Sequence, residues 1–371
     1  MEQVEAIGGG ASRWTPIVEA FSDVRVLALG TGLYLIAGNI FLAYVGANPI
    51  DLVEGIGVAF ATFFQLVKVF MPWWALLIVV APIVLIGPIR RRLWQQRTSV
   101  LLSIMMCSLF TFMFALVKNR MSLVEPFWAD NALTKIDLML HFGHTPRDLL
   151  LWLSPEHTSR LLGLYFNTWV FLASFLPVLL VAFDNDKARR RTFTILWMLC
   201  WVGLGNVLAL MVMSYGPIFT DLFPGGPADA HRGALALVQR EDARSLLATK
   251  MSLWRAYTGE SEMLGSGISA FPSVHVGMAM VIGLYIARLG RDLSQRLTLK
   301  PIFATVLLWG ARAFSVLYVT FYAVLSVYLG WHYAVDGYVS IVVILGLYMY
   351  LMARSKVPAR KMRFALPFNP L

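Results

Sequence analysis

Charged residues are scarce in this chain, and long stretches of it contain none. Only 14% of the 371 residues are charged, whereas 58% are hydrophobic and the mean hydropathy is +0.68. Soluble globular domains carry about 25% charged residues. The composition therefore excludes a soluble globular protein of this length and is typical of a polytopic membrane protein.

Cysteine is nearly absent as well. The two cysteines, Cys107 and Cys200, lie inside apolar runs, where each is expected to pack as a small hydrophobe, so they do not indicate a redox compartment. The net charge of +10 could point to nucleic acid. However, the basic residues cluster in short segments between apolar runs, as the positive-inside rule expects. Nucleic acid is therefore not an expected partner.

Apolar runs of spanning length recur along the chain. About twenty helical residues cross a bilayer core of roughly 30 Å. The segment 52–70 is shorter and carries charged side chains, which predicts an amphipathic helix lying at the interface. Eight other runs are predicted to span the membrane: 26–46, 72–89, 99–117, 161–183, 192–214, 274–290, 310–330 and 334–352. The sequence thus predicts an all-α polytopic membrane helical bundle, organised as a single domain over 1–371.

The distribution of basic residues predicts how this bundle is oriented. The clusters RRRLWQQR, DNDKARRR and ARSKVPARKMR all fall on one side if the N-terminus is inside. The positive-inside rule then makes both termini cytoplasmic. The FPSVH sequence at 271–275 and His332 are expected together on the opposite, non-cytoplasmic face.

Two polar groups open the sixth and eighth predicted spans. His332 and Asp336 are four residues apart, so on a helix the carboxylate can orient the imidazole. FPSVH places Ser273 at a helix start, where free N–H groups favour a phosphate, and His275 follows in the first turn. Either histidine alone is typical of an interfacial residue bonded to water. Together they favour phosphoryl transfer, which needs a nucleophile and a proton donor.

These residues resemble two of the three motifs of the type-2 phosphatidic acid phosphatase superfamily. The segment 272–275 matches its P-S-G-H motif, with Val274 where glycine is usual, and His332 and Asp336 match the end of S-R-x5-H-x3-D. The resemblance implies that His332 is the nucleophile that forms a phosphohistidine. It implies that Asp336 orients this ring and that His275 donates a proton to the leaving group.

Two basic positions of the family motifs are occupied by other residues. Ser326 stands at the arginine of the third motif. The nearest match to the first motif, K-x6-R-P, runs from Lys118, with Glu125 at its arginine position. Lys118 and Arg120 are therefore the candidate phosphate ligands in this segment.

Four short sequence elements resemble the inositol phosphorylceramide synthase branch of the superfamily. These are the FPS-x-H form, the HY-x2-D sequence at His332 and the YGP and PGG turns. Members of that branch transfer a phosphoryl-alcohol head group between lipids. Because the branch has an arginine after a similar PGG turn, Arg232 is a candidate ligand of the lipid phosphate, and a solvated loop charge is the alternative.

The expected function is therefore that of a membrane lipid phosphotransferase, with a lipid phosphatase as the alternative. The expected partners are the bilayer, a phospholipid substrate and a hydroxyl acceptor, which is a lipid, a polyol or water. The catalytic core is expected at about 161–352, facing the periplasm, lumen or exterior. No metal or cofactor is expected, because histidine supplies the nucleophile and basic groups supply the charge.

Two other hypotheses compete with this one. Asp137, His141, His144 and His157 have spacings that could bind a metal, although polar residues on an interfacial helix are the simpler explanation. A transporter could instead use the histidines and Asp336 as a proton relay. Transporter sites usually lie at the bilayer midplane, whereas these groups sit at one mouth of the predicted bundle.

Overall fold

The computed structural model describes residues 15–70, 73–260, 267–298 and 300–355. These four stretches form helices joined by turns, with no β-strand among them, which confirms the predicted all-α bundle. The α-helices are α1 (Thr15–Tyr44), α2 (Leu52–Phe70), α3 (Trp73–Leu85), α4 (Gly87–Gln95), α5 (Arg97–Arg120), α6 (Asp130–Leu140), α7 (Thr158–Phe183), α8 (Lys187–Leu199), α9 (Ala209–Met211), α10 (Arg232–Val238), α11 (Arg244–Tyr257), α12 (Val274–Arg296), α13 (Pro301–Tyr328) and α14 (Ala334–Ser355).

Seven helical stretches among the described residues are long and apolar enough to cross a membrane, rather than the eight predicted. The difference lies at 72–89. There α3 has only 13 residues, and Pro88 lies in the first turn of the separate helix α4. A helix of that length is about 20 Å long and does not cross a bilayer core. The seven candidates are Ala20–Tyr44, Arg97–Leu123, Pro155–Phe183, Lys187–Met211, Val274–Arg296, Pro301–Tyr328 and Ala334–Arg354.

Helices α1 and α8 run in the same direction. Asp23, near the start of α1, forms an ion pair of 2.9 Å with Arg190, near the start of α8. Further along, the Tyr34 hydroxyl donates to Oδ1 of Asn206 at 2.6 Å. The last helix runs the opposite way, because Tyr348 in α14 packs against Phe193 near the start of α8, with ring centroids 5.8 Å apart. Both ends of the described chain thus lie at one end of the bundle; their cytoplasmic location stays a prediction.

The segment between α1 and α5 returns across the bundle. Arg92 at the end of α4 donates to the Ala182 carbonyl at 2.5 Å, so α5 begins at the same end as α1. Helix α2 packs against α5 and α7, where Phe63 meets Phe175 edge-on with ring centroids 5.1 Å apart. The apolar face of α2 thus finds partners on neighbouring helices, and the interfacial position of 52–70 stays a prediction.

Helix α12 lies at the centre of the C-terminal half. It packs against α7, α8, α13 and α14, and its contact with α13 is the most extensive. Gly283 and Gly290 permit this close approach, since a Cβ at Gly283 would lie 3.2 Å from Cγ2 of Val319 and one at Gly290 would overlap Ala311. The start of α12, with His275, is therefore surrounded by helices on most sides.

Candidate active site

His332 lies in the tight turn between α13 and α14. Gly330 takes a left-handed φ of +77°, which favours glycine, and the backbone N–H of His332 donates to the Ser326 carbonyl at 3.2 Å. Nδ1 of the ring is 2.7 Å from the carbonyl oxygen of Ala270. A carbonyl can only accept, so Nδ1 carries the proton, and Nε2 of the neutral ring keeps its lone pair. The ring therefore offers a nucleophilic nitrogen.

Asp336 lies one turn further along, fully buried in the start of α14. Its Oδ2 is 3.3 Å from Nδ1 of His332 and accepts from the backbone N–H of Tyr333 at 3.0 Å. Its Oδ1 is also buried and has no hydrogen-bond partner among the described residues. A carboxylate in this position fixes the ring orientation and stabilises the imidazolium that forms when Nε2 is alkylated or phosphorylated.

His275 approaches His332 from the first turn of α12. The two ring centroids are 5.7 Å apart, and the planes are inclined by 62°. Aromatic rings enclose His275 on other sides: Tyr165 stacks at 4.7 Å, and Trp169 lies at 4.1 Å and donates from Nε1 to the His275 carbonyl at 3.1 Å. The fold thus brings together the two histidines that the motifs singled out.

The starts of α12 and α14 are bonded to each other directly. The Ser273 hydroxyl accepts from the N–H of Val276 at 3.3 Å, which makes it the N-cap of α12. The backbone N–H of Ser273 donates to the carbonyl of Asp336 at 3.3 Å. Two helix N-termini, each favouring negative charge, therefore converge on the histidine pair.

Lys118 reaches this region from the last turn of α5. Its buried Nζ donates at 3.2 Å to the carbonyl of Gly205, within the π-helical stretch Cys200–Leu208. A Cβ on Gly205 would lie 3.0 Å from Cγ2 of Val274, and one on Gly267 would lie 2.8 Å from Cγ of Lys118. Lys118 thus adjoins the start of α12, and it forms no ion pair with any carboxylate that the structure describes.

Asp137 on α6 caps the start of α14. Its carboxylate accepts from the backbone N–H groups of Ala334 at 2.8 Å and of Val335 at 3.0 Å. Burial raises the pKa of Asp137, and these two bonds oppose that shift. Both oxygens of this carboxylate thus accept backbone N–H groups. No cluster of possible metal ligands occurs among the described residues. The metal-binding spacing noted at Asp137 and His141 corresponds instead to a structural contact, in which Nε2 of His141 is 3.0 Å from the Tyr338 hydroxyl.

Asp130, at the start of α6, supports the same turn. Its Oδ1 accepts from the N–H of Gly216 at 2.9 Å and from the Tyr333 hydroxyl at 2.9 Å. Burial raises the pKa of Asp130 to about 6, and burial likewise raises the pKa of the Tyr333 phenol. Asp130 and Asp137 therefore stabilise the turn that carries His332, through hydrogen bonds to Tyr333, Ala334 and Val335. The local sequence around the two aspartates does not indicate this role.

A comparison with known protein families decides where the chain belongs. The family model described as PAP2 superfamily matches residues 131–350, more than half of the chain. The chain belongs to the PAP2 superfamily. Membership indicates a membrane lipid phosphatase or phosphotransferase. No curated protein and no solved structure matched the chain.

Two candidate phosphate ligands of this PAP2 protein, Arg120 and Arg232, form their hydrogen bonds with their own helix or turn. Arg120 donates to the Leu116 carbonyl of its own helix at 3.3 Å. Arg232 lies on an exposed turn, where its guanidinium pairs with Asp229 at 2.8 Å and its side chain is 79% exposed. Their role as phosphate ligands stays a prediction.

A small cavity of about 20 Å³ opens beside His332 in the PAP2 region, and sequence reasoning missed most of its polar lining. Nε2 of His231 is 2.9 Å from the Thr134 hydroxyl, and burial lowers the pKa of this histidine to about 4, so the ring is neutral at pH 7. No motif marks these positions, which loops bring together. The cavity is lined by Asp137, Thr145, Pro146, Arg147, Asp148, Pro217, Ala230, His231, Gly233, Ala234, Val327 and His332.

Proposed function

We propose that this PAP2 protein transfers a phosphoryl group from a phospholipid through a phosphohistidine on His332. The observation that carries the proposal is the Nδ1–H bond from His332 to Ala270, which leaves Nε2 nucleophilic, with the His275 ring 5.7 Å away. Two imidazoles at this separation can approach one phosphoryl group from opposite sides. One attacks phosphorus, and the other protonates the departing oxygen.

The first step forms a nitrogen–phosphorus bond and breaks a phosphorus–oxygen bond. Nε2 of His332 attacks phosphorus, and the leaving alcohol takes the proton of His275. Tyr165 and Trp169 enclose the His275 ring and fix its orientation towards His332. Asp336 and the Ala270 carbonyl stabilise the positive charge that develops on His332.

In the second step a phosphorus–oxygen bond forms and the nitrogen–phosphorus bond breaks. His275, now neutral, takes the proton of an acceptor hydroxyl as that oxygen attacks phosphorus. The nitrogen–phosphorus bond breaks, and His332 returns to its neutral form. The same geometry thus serves both steps, and the nature of the acceptor decides between transferase and phosphatase.

Ser273 and Lys118 are the proposed ligands of the phosphoryl oxygens. The N-terminus of α12, capped by Ser273, presents backbone N–H groups and the positive end of the helix dipole. Lys118 adds a buried side-chain amine that donates hydrogen bonds and has no carboxylate partner among the described residues. Both therefore favour an anion beside the histidines.

The proposed acceptor is a lipid or polyol hydroxyl, and water is the alternative. The basis for this choice is the resemblance of the FPS-x-H and HY-x2-D elements to the inositol phosphorylceramide synthase branch. The site is proposed to face the non-cytoplasmic side, because the basic clusters RRRLWQQR and DNDKARRR lie at the other end of the bundle.

The proposal is tested with purified protein in lipid, supplied with phosphorus-labelled phospholipids with and without alcohol acceptors. A new labelled phosphodiester that depends on the acceptor supports the transferase. Release of labelled free phosphate supports the phosphatase. Absence of both products with every donor contradicts the proposed chemistry and leaves the proton-relay transporter as the better hypothesis.

A further inference from the structure

Arg147 shares a cavity with the proposed nucleophile. It precedes the short helical turn Asp148–Leu150 in the segment between α6 and α7, and it lines the same cavity as His332. Its guanidinium carbon lies 5.6 Å from the ring centroid of Tyr328, the last residue of α13. Tyr328 follows Ser326 by two residues, so Arg147 lies over the helix end where the family motif has its arginine.

The guanidinium of Arg147 has no carboxylate at ion-pair distance in the described parts of the chain, and the Asp148 carboxylate acts on it only from further away. Nε of Arg147 is buried there without a hydrogen-bond partner. The adjacent carboxylate, Asp148, accepts the Thr145 hydroxyl at 2.5 Å instead. Burial lowers the pKa of Arg147, yet a guanidinium remains protonated at neutral pH. A half-buried cation without a close ion pair is costly, and an anion bound beside it lowers that cost.

Gly233 leaves the space that this guanidinium occupies. A Cβ added at Gly233 would lie 2.7 Å from a terminal nitrogen of Arg147, closer than real side chains approach. Only glycine therefore leaves room for the arginine in its present position. Because the displaced atom would be the end of a flexible side chain, an alanine at 233 would move the guanidinium and leave the surrounding helices intact.

We propose that Arg147 binds the phosphoryl oxygens of the substrate, supplying from the α6–α7 segment the cation that the family motif places at position 326. This inference rests on the proposed function for the identity of the anion. It also explains how a chain with Ser326 and Glu125 at the two motif arginines still presents a guanidinium to phosphate. Arginine suits this role because its planar donors match phosphate oxygens in pairs.

The first test measures binding without turnover. Thermal unfolding of the purified protein in detergent is followed with increasing inorganic phosphate, against sodium chloride of matched ionic strength. Phosphate is expected to raise the midpoint of the wild type and of His332→Ala. In Arg147→Met the apparent affinity for phosphate is expected to fall at least about tenfold, because a charge-assisted bidentate contact is lost.

Three variants keep this test decisive. Arg240→Met is the matched control, because Arg240 is an exposed arginine paired with Asp242 at 2.9 Å, and it should respond to phosphate like the wild type. Gly233→Ala retains the charge and displaces it, so it should weaken the response as Arg147→Met does. Arg147→Lys keeps a cation without the paired donors, so its apparent affinity for phosphate should lie between those of the wild type and Arg147→Met. This variant also keeps the test usable if Arg147→Met fails to fold.

The second test measures turnover of the labelled phospholipids. Arg147→Met is expected to lower kcat/KM about 10²-fold, the usual cost of removing one donor to a developing charge. If no phospholipid is turned over by the wild type, the proposed function fails, and the phosphate titration still decides the role of Arg147. A wild type that phosphate does not stabilise, or an Arg147→Met variant with the wild-type response, overturns the inference.

Discussion

The charged groups around Arg189, at one end of the helical bundle, differ in their pairing from those around His332, at the other end. At the end away from the histidines, Arg189 donates to both oxygens of Asp184 at 2.6 and 2.7 Å and to Asp292 at 2.5 Å. Nearby, Arg190 pairs with Asp23 at 2.9 Å. Each of these guanidinium groups is neutralised by carboxylates, so this end is complete without a ligand.

Around His332, three charged groups lack partners of this kind, although the buried Lys250 of the same end pairs with Asp221 at 2.6 Å. Lys118 and Arg147 form no ion pair with any carboxylate in the described ranges, and Oδ1 of Asp336 has no hydrogen-bond partner there. Neutralised charges stabilise a fold, whereas buried charges without a partner are costly and are retained where a ligand completes them. This difference supports the proposed position of the substrate beside His332.

The largest expected effect is that of His332→Ala. Loss of the nucleophile should lower turnover by a factor of at least about 10⁴ and abolish acid-labile phosphorylation of the protein. Rates and covalent labelling with phosphorus-labelled phospholipid measure both. His144→Ala, at an exposed histidine of the same end, is the control and should behave like the wild type. Full labelling of His332→Ala would remove His332 from the nucleophile role.

Arg189→Met tests the opposite end. It leaves two acidic groups, Asp184 and Asp292, without their main partner, so the free energy of unfolding should fall by about 3–5 kcal/mol. Turnover per folded molecule should stay at the wild-type value. Lys187→Met on the same helix is the control, because its side chain is 82% exposed and the expected loss is under about 1 kcal/mol. Equal losses in the two variants would contradict the contrast between the ends.

His275→Ala separates proton donation from nucleophilic attack. With an alkyl leaving group, turnover should fall about 10²- to 10³-fold, because the alkoxide leaves unprotonated. A substrate with a good leaving group needs no proton donor, so slow labelling of His332 should persist with it. Comparison of the two substrates in one labelling assay measures this. An equal loss on both substrates would argue against a proton-donor role for His275.

The buried carboxylate of Asp130 predicts a pH dependence of stability. Its pKa is about 6 in the folded protein against an ordinary value of 3.8, so the folded state binds more protons between these values. Stability from this group is therefore greatest below about pH 4 and falls as pH rises towards 6, by about 3 kcal/mol at 1.36 kcal/mol per pKa unit. Above that range the contribution is constant.

Thermal unfolding of the wild type and of Asp130→Asn at several pH values measures this contribution, as the difference between their unfolding midpoints. Asp130→Asn cannot ionise, so the unfolding midpoint of the wild type relative to this variant should fall between pH 4 and pH 7. Asp229→Asn, at a carboxylate whose side chain is 92% exposed, should leave the wild-type pH dependence unchanged. A parallel pH dependence in the wild type and Asp130→Asn would show that the buried carboxylate is not responsible.

Sequence by itself determined the features that depend on local spacing. Apolar runs predicted the helical bundle, and Ser273 was expected at the helix start that it caps. The four-residue spacing of His332 and Asp336 predicted a contact that the fold contains at 3.3 Å. The run 72–89 misled, because its apolar residues continue through the Gly87–Pro88 break that ends α3. Hydropathy measures how apolar a run is, and it does not record where its helix stops.

Only the tertiary structure decided which charges surround the histidines. Lys118 meets Gly205 across 87 positions of sequence, and Asp137 caps Ala334 across 197. Arg147 lies beside His332 because the segments between helices fold over one end of the bundle. Local patterns carry no information about such distant contacts, since these depend on how whole helices pack. For that reason the motif histidines and Lys118 could be found by reading the chain, and Arg147 could not.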